Sequence, residues 1–278
     1  MRTPVILVAG QGAATDVSDV LLHMPGTTVV GYSVDGHVVV RGVSAMRDTK
    51  LVITQSPLEI TNCCVTCTIR NDLLILLRQL HRRDDVHRIV VQLMEWLDPE
   101  PICVAINDTP VHVGAGYIDG PAARDVEIQA VVTCVDTSVW LSQALGDDEL
   151  DDSRTVAQVV VAQAAFADVL VLTEADRATL AVLRRLAPRA RITVGLQHLT
   201  TALNHLDTHS RRGHSDDPHD SLLAGQPPLS PDGEVQLLEF NARRPFHPER
   251  LHHAIDALLD GVVRVRGRAW LASQPDTV

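Results

Sequence analysis

Short apolar runs alternate along the chain with longer segments whose apolar positions recur every three or four residues. The runs at 4–10 (PVILVAG), 88–94 (RIVVQLM), 128–136 (IQAVVTCVD), 167–173 (ADVLVLT) and 190–195 (ARITVG) predict buried strands. Between them, 70–83, 155–166 and 176–187 have helical periodicity and length. Continuous Val/Ile/Leu strands alternating with helices predict an α/β fold. Its sheet is mostly parallel, with helices covering both faces.

The pattern changes after residue 204. Residues 205–233 are polar and rich in His, Asp, Pro and Gly, and read as a linker. From 234 a strand leads through "RRPFHPER" into a helix that opens on Pro248. Leu251, Ile255, Leu258 and Leu259 form its apolar stripe, Gly261 ends it, and a second strand follows. The expected organisation is a domain over 1–204, a linker over 205–233 and the start of a small α+β domain over 234–278. Strand–helix–strand is a small start for a domain, and suggests a fragment.

A chain of 278 residues that is 45% hydrophobic can bury one large core and a second small one. No uncharged apolar run is long enough to predict a membrane span. The N-terminus reads as a first strand rather than a signal peptide, which places the protein in the cytoplasm. A net charge of -11 argues against a broad nucleic-acid face, so DNA is not an expected partner. Association with RNA or a ribosome would go through a protein contact or a local arginine cluster. "HRRDDVHR" (81–88) reads as a solvated helix end and loop.

Three of the five cysteines, Cys63, Cys64 and Cys67, crowd into five positions before the helix predicted at 70–83. In a reducing compartment such a cluster is a metal site, a redox pair or a set of buried thiols. Two cysteines three residues apart can grip one zinc ion from a turn, and a helix N-terminus beside them favours the thiolate. That makes Cys64 and Cys67 the candidate metal pair, with Cys63 as a third ligand. Cys103 and Cys134 sit in apolar, strand-like contexts and read as core. His205, His209, His214 and His219 either collect metal weakly or simply solvate the linker. In "RRPFHPER", Pro245 and Pro248 set a turn and Phe246 is an inter-domain anchor. Arg243, Arg244 and Arg250 are alternative contacts for an acidic partner.

The order "VAGQGAATD", "CVTCTIRNDL", "LDPEP", "CVD", "FADVLVLTEAD", His-rich linker and "ARRPFHPER" resembles the CobW-like P-loop GTPases, a family of zinc and cobalt metallochaperones. More narrowly it is similar to those members of the family that link zinc supply to ribosome hibernation. The resemblance covers nearly the whole chain. It implies a P-loop NTPase-like domain followed by the start of a CobW C-terminal-type domain. It adds Glu59, where the family often has an acidic residue, to the candidate zinc ligands, and it shows Thr66 in place of the family's middle cysteine.

It also exposes departures. A P-loop wraps phosphates with glycine-permitted backbone N–H groups and neutralises them with lysine. Counted from Gly10, Thr15 replaces the second glycine and Asp16 the lysine, while Lys50, the chain's only lysine, follows no such loop. Gln92 and Glu95 stand where the family has an acidic residue and a glycine. "TEAD" keeps only Asp176 of the guanine-reading motif, with Thr173 and Glu174 in place of its first two residues. The expectation is therefore a pseudo-GTPase that binds zinc but not GTP. Through protein contacts it would promote ribosome hibernation by recruiting a hibernation factor according to zinc status. The rival readings are a GTP-dependent zinc metallochaperone serving a client protein, and a plain zinc store.

Overall fold

The structure is a computed structural model that describes residues 1–60, 64–217 and 219–273. Its centre is an eight-stranded sheet. The strands are β1 (Thr3–Gly10), β2 (Thr27–Asp35), β3 (Val38–Arg47), β4 (Lys50–Leu58), β5 (Arg88–Gln92), β6 (Val126–Val135), β7 (Val169–Leu172) and β8 (Arg191–Val194), in the order β4-β3-β2-β5-β1-β6-β7-β8. Neighbours from β2 through β8 are parallel, whereas β3 and β4 join antiparallel at one edge. All five strands read from the sequence form, in a P-loop NTPase-like, mostly parallel sheet.

Their near-continuous burial has a direct cause: both faces are covered. The helices are α1 (Ala14–Leu22), α2 (Val65–His81), α3 (Pro99–Asp108), α4 (Trp140–Ala144), α5 (Val156–Phe166), α6 (Arg177–Leu186), α7 (Leu199–Asn204) and α8 (Pro248–Leu259). On one face Val5 and Leu7 of β1 meet Leu73 and Leu77 of α2 and Ile102 of α3. On the other, Ile6 and Val8 meet Val17 and Leu21 of α1 with Leu199 of α7. Alternate residues of one strand thus feed two cores.

Three strands escape the sequence reading. β2, β3 and β4 form a meander whose outer strand is exposed along nearly its whole length, so no one-sided apolar pattern marks it. The signals that could have found them were the turns. Gly36 has φ +58°, and Asp48 and Thr49 have φ +46° and +67°, as two-residue hairpin loops require. Cys103 also departs from its strand-like reading. It lies on α3, whose start is marked by Asp98 accepting from the Glu100 N–H at 3.0 Å and by Pro99 in the first turn.

The C-terminal unit is corrected in the same way. α8 forms, but the strands expected on either side do not: Phe246 and Leu271 make a single parallel bridge. A ladder of two segments without further partners is marginal, and Leu238 and Phe240 stay exposed. Phe246 lies against Phe240 of the same unit, their rings tilted with centroids 6.3 Å apart.

Residues 205–233 hold no helix or strand among those described, yet their first part is not free in solvent. The buried Asp168 carboxylate accepts from the Arg212 N–H at 3.0 Å and the Val131 N–H at 2.9 Å, and Gly213 is buried. Burial holds the Asp168 pKa above the usual carboxylate value. No helix among the described residues is long and apolar enough to cross a membrane.

Candidate functional site

In parallel α/β sheets, ligand chemistry gathers beyond the carboxyl ends of the strands. Here that edge carries two features, the loop after β1 and the N-terminus of α2.

The loop turns at Gly10, where φ is +92° and an added Cβ would lie on the Cys134 carbonyl. Gln11 donates its N–H to that same carbonyl at 3.3 Å, which removes one of the backbone donors a phosphate loop would offer. Gln11 itself is buried, and its Nε2 has no acceptor among the described residues. Gly12 follows with φ +70°, and α1 begins at Ala14 without a side-chain cap. Thr15 and Asp16 are exposed on the first turn. Gln92 at the end of β5 donates Nε2–H to Thr15 Oγ1 at 3.1 Å, across the mouth of the loop.

The surrounding groups are likewise spent on each other. Asp136 after β6 accepts from the Ser138 hydroxyl at 2.6 Å and its N–H at 3.0 Å, which hold its carboxyl below the usual range. Thr173 Oγ1 accepts from the Thr137 N–H at 3.1 Å. Asp176, the remnant of the base-reading motif, caps α6 by accepting from the Thr179 N–H at 2.7 Å, and its pKa is lowered by that contact. Lys50 starts β4, roughly 19 Å away across four strand spacings. Because β4 runs in the same direction as β1, Lys50 also sits at the opposite edge of the sheet. The first turn of α1 carries Asp16 and no lysine, so the loop lacks the cation with which a P-loop neutralises phosphates.

The second feature is Cys64. Its backbone is extended (φ -151°, ψ 147°) and it caps α2, its Sγ accepting the Cys67 N–H at 3.1 Å. Thr68 returns both its N–H and its hydroxyl to the Cys64 carbonyl at 3.2 Å. The Cys67 side chain and N–H, with the charge of Arg70, hold the Cys64 thiol below the usual value. Both cysteines are half-buried and reduced. Cys103 and Cys134 differ: both are buried, which pushes Cys103 well up and Cys134 up to about 12. The structure thus brings Cys64 and Cys67 together as one soft-donor pair, which fits part of a zinc site. Glu59 is exposed just after β4, and no group of three or more His, Cys, Asp and Glu side chains among the described residues is placed to hold an ion. Cys63 lies outside the described residues. His205, His209, His214 and His219 are exposed and join no such group.

α2 is held at both ends. His81 Nδ1 meets Thr3 Oγ1 at 2.9 Å at the amino edge of the sheet. Nearer the cysteines, Asp72 accepts from the Tyr32 hydroxyl at 2.9 Å and the Arg41 guanidinium at 2.7 Å. Burial, then the Asp72 charge, pushes the Tyr32 pKa up. Arg78 is 2% exposed and donates to Asp125 at 2.7 Å and to the carbonyls of Gly120 and Ile118. Tyr32 also lines a cavity of ≈ 290 Å³ with Ser33, Gln55, Gln92 and Glu95. Gln92 therefore borders this cavity on one side and holds Thr15 on the other. Sequence reasoning missed Tyr32, Arg41 and Asp72, because their contact crosses about thirty to forty positions.

Residues 31–197 match the family "CobW/HypB/UreG, nucleotide-binding domain", and 235–278 match "Cobalamin synthesis protein cobW C-terminal domain". Over all 278 residues the chain is 61% identical to the "Zinc chaperone Rv0106" of Mycobacterium tuberculosis, covering 70% of that protein. It is 25% identical over 248 residues, 81% of the chain, to the "Zinc-regulated GTPase metalloprotein activator 1" of Dictyostelium discoideum, covering 51% of it. No solved structure matches.

Proposed function

Since the chain belongs to the CobW/HypB/UreG family of nucleotide-binding proteins, we propose that it is a zinc-handling member that holds the metal through Cys64 and Cys67 and acts without hydrolysing GTP. The observation that carries the proposal is the cap of α2. Two thiols meet at one helix N-terminus, one of them with a lowered pKa, while the chain's other two described thiols are buried and raised. Thiolates are the species zinc binds, so the cap is the place where metal and protein meet at neutral pH. The printed names of the two relatives, each a zinc protein, support the choice of metal.

The silent nucleotide site is supported by Asp16 on the first turn of α1 and by the Gln92–Thr15 bond over the loop. A carboxylate beside β- and γ-phosphates repels them. The same reasoning makes the protein a regulator or adaptor rather than a motor. Its partner, drawn from the resemblance alone, is a ribosome-hibernation factor or the ribosome bound through protein. The net charge of -11 favours a protein contact over RNA phosphate.

A second reading, a GTP-dependent zinc metallochaperone delivering metal to a client protein, is favoured by the relatives' printed names. One experiment separates the two. Purified protein, Cys64→Ser and Cys67→Ser are measured for zinc content, for zinc-stimulated GTP hydrolysis and for retention of ribosomes at moderate salt. About one zinc per chain, lost in both variants, with no hydrolysis and zinc-dependent retention, supports the proposal. Zinc-stimulated hydrolysis without retention supports the chaperone. Full zinc content in both variants removes the ligand assignment.

A further inference from the structure

Four segments distant in sequence converge on a cavity of ≈ 230 Å³. Ala162, Ala165 and Phe166 of α5 form its apolar wall, and Glu100 of α3, Arg211, Asp216, Arg264 and Arg266 supply the polar one. Arg211 lies over the Phe166 ring, its guanidinium carbon 5.8 Å from the centroid. Asp216 collects three guanidiniums: Arg211 at 2.8 Å, and Arg189 and Arg266 at 3.4 Å each. One carboxylate cannot neutralise three cations, and Arg264 adds a fourth.

Arg264 is the residue without a match. Among the described residues it has no carboxylate within ion-pairing distance, although it lines the cavity. Arg264 is exposed at the rim; partial desolvation against the cleft wall, then the like charges of Arg266 and Arg211, lowers its pKa, and Glu100 and Asp216 oppose that shift. Four guanidiniums (Arg189, Arg211, Arg264, Arg266) against three carboxylates (Asp216, Glu100 and Asp168, which faces Arg211) leave a local excess of one positive charge in a chain of net charge -11. Water solvates the exposed side of this excess, and an anion that bonds several guanidiniums at once would engage it more strongly.

We propose that this cleft is an anion site for inorganic phosphate or the phosphoryl group of a small phosphomonoester, with Arg264 as its principal donor and Arg211 and Arg266 beside it. The guanidinium fork matches phosphate oxygens in pairs, which a lysine could not do. The volume is below that of a site for a drug-sized molecule, so a phosphoryl group rather than a whole nucleotide is the matching ligand. A bound anion would tie the C-terminal segment carrying Arg264 and Arg266 to α5 of the nucleotide-binding-type domain. The site is independent of zinc and of the loop after β1.

The test is titration calorimetry of the whole chain with inorganic phosphate at constant ionic strength. Binding at or below ~1 mM is expected for wild type. Arg264→Gln should weaken it by about tenfold or more, since a charge-assisted fork is lost. Arg264→Lys, which keeps the charge without the fork, should fall between. Arg47→Gln, exposed at the end of β3, should leave it unchanged, with circular dichroism reporting the fold of each variant. A phosphomonoester such as glycerol 3-phosphate competing for the same site identifies the phosphoryl group as the recognised unit. Absence of phosphate binding in wild type overturns the proposal, and so does equal binding in a folded Arg264→Gln.

Discussion

The Gln92 side-chain amide donates to the Thr15 hydroxyl at 3.1 Å, joining the end of β5 to the first turn of α1. Two positions that the family resemblance assigns to separate nucleotide-contacting elements here hold each other. The bond is exposed, and Asp16 follows Thr15 on the same turn.

Calorimetric titration with GTP and magnesium is expected to show no binding tighter than about 10 μM, a threshold near 7 kcal/mol. Asp16→Lys alone should not restore hydrolysis, because Thr15 still occupies the second glycine's place and Asp176 caps α6. Hydrolysis recovered by that single change would show that the lysine was the whole deficit.

Alkylation should rank the thiols. Cys64, with its lowered pKa, is expected to react with iodoacetamide first in the native protein. Its rate should reach a plateau at a lower pH than that of a free thiol. Cys103 and Cys134 should react only on unfolding, and Cys103→Ser or Cys134→Ser should leave zinc content unchanged. Equal native-state labelling at Cys134 would contradict its burial.

Cys134 also sets a pH window. Its folded pKa lies at about 12 and its ordinary value at 9.0, so its contribution to stability is complete below 9. That contribution declines as pH rises from 9 through 12, because only the unfolded chain gives up the proton easily. Urea midpoints should fall across this range, and less so in Cys134→Ala. Identical slopes in the two proteins would refute the assignment.

Asp125→Ala should destabilise the protein by about 3 kcal/mol or more, since it strips the carboxylate from the nearly inaccessible Arg78. Asp85→Ala, which breaks exposed pairs with Arg83 and Arg47, should cost about 1 kcal/mol at most. Urea denaturation of both variants measures the contrast, and similar losses would place Arg78 in a wetter environment.

Gly10→Ala should be among the most damaging single changes, at about 3 kcal/mol or more, because its Cβ would collide with the Cys134 carbonyl at a left-handed φ. Gly36→Ala has open space around its Cβ and should lose only the left-handed preference, about 1 kcal/mol. Thermal midpoints of the two variants decide this.

Local chemistry was enough to read the five buried strands, the helices α2, α5 and α6, and the closeness of Cys64 to Cys67, whereas α1, α3, α4 and α7 went unread. Each rests on a period or a spacing within about fifteen residues, and burial on both faces leaves a continuous apolar run, although the run around Cys103 shows that a buried helix can leave one too. Only the tertiary structure showed the meander of β2, β3 and β4, since an exposed edge strand carries no one-sided pattern. Only it turned the expected C-terminal strands into irregular chain, because a strand exists through its partner's hydrogen bonds and not through its own composition. The Gln92–Thr15 bond, the Tyr32–Asp72–Arg41 link to the cysteine helix and the pairs of Asp216 with Arg189 and Arg266 join residues separated by about thirty to eighty positions. Such pairings depend on how the sheet orders its strands, and no local period along the chain records that order.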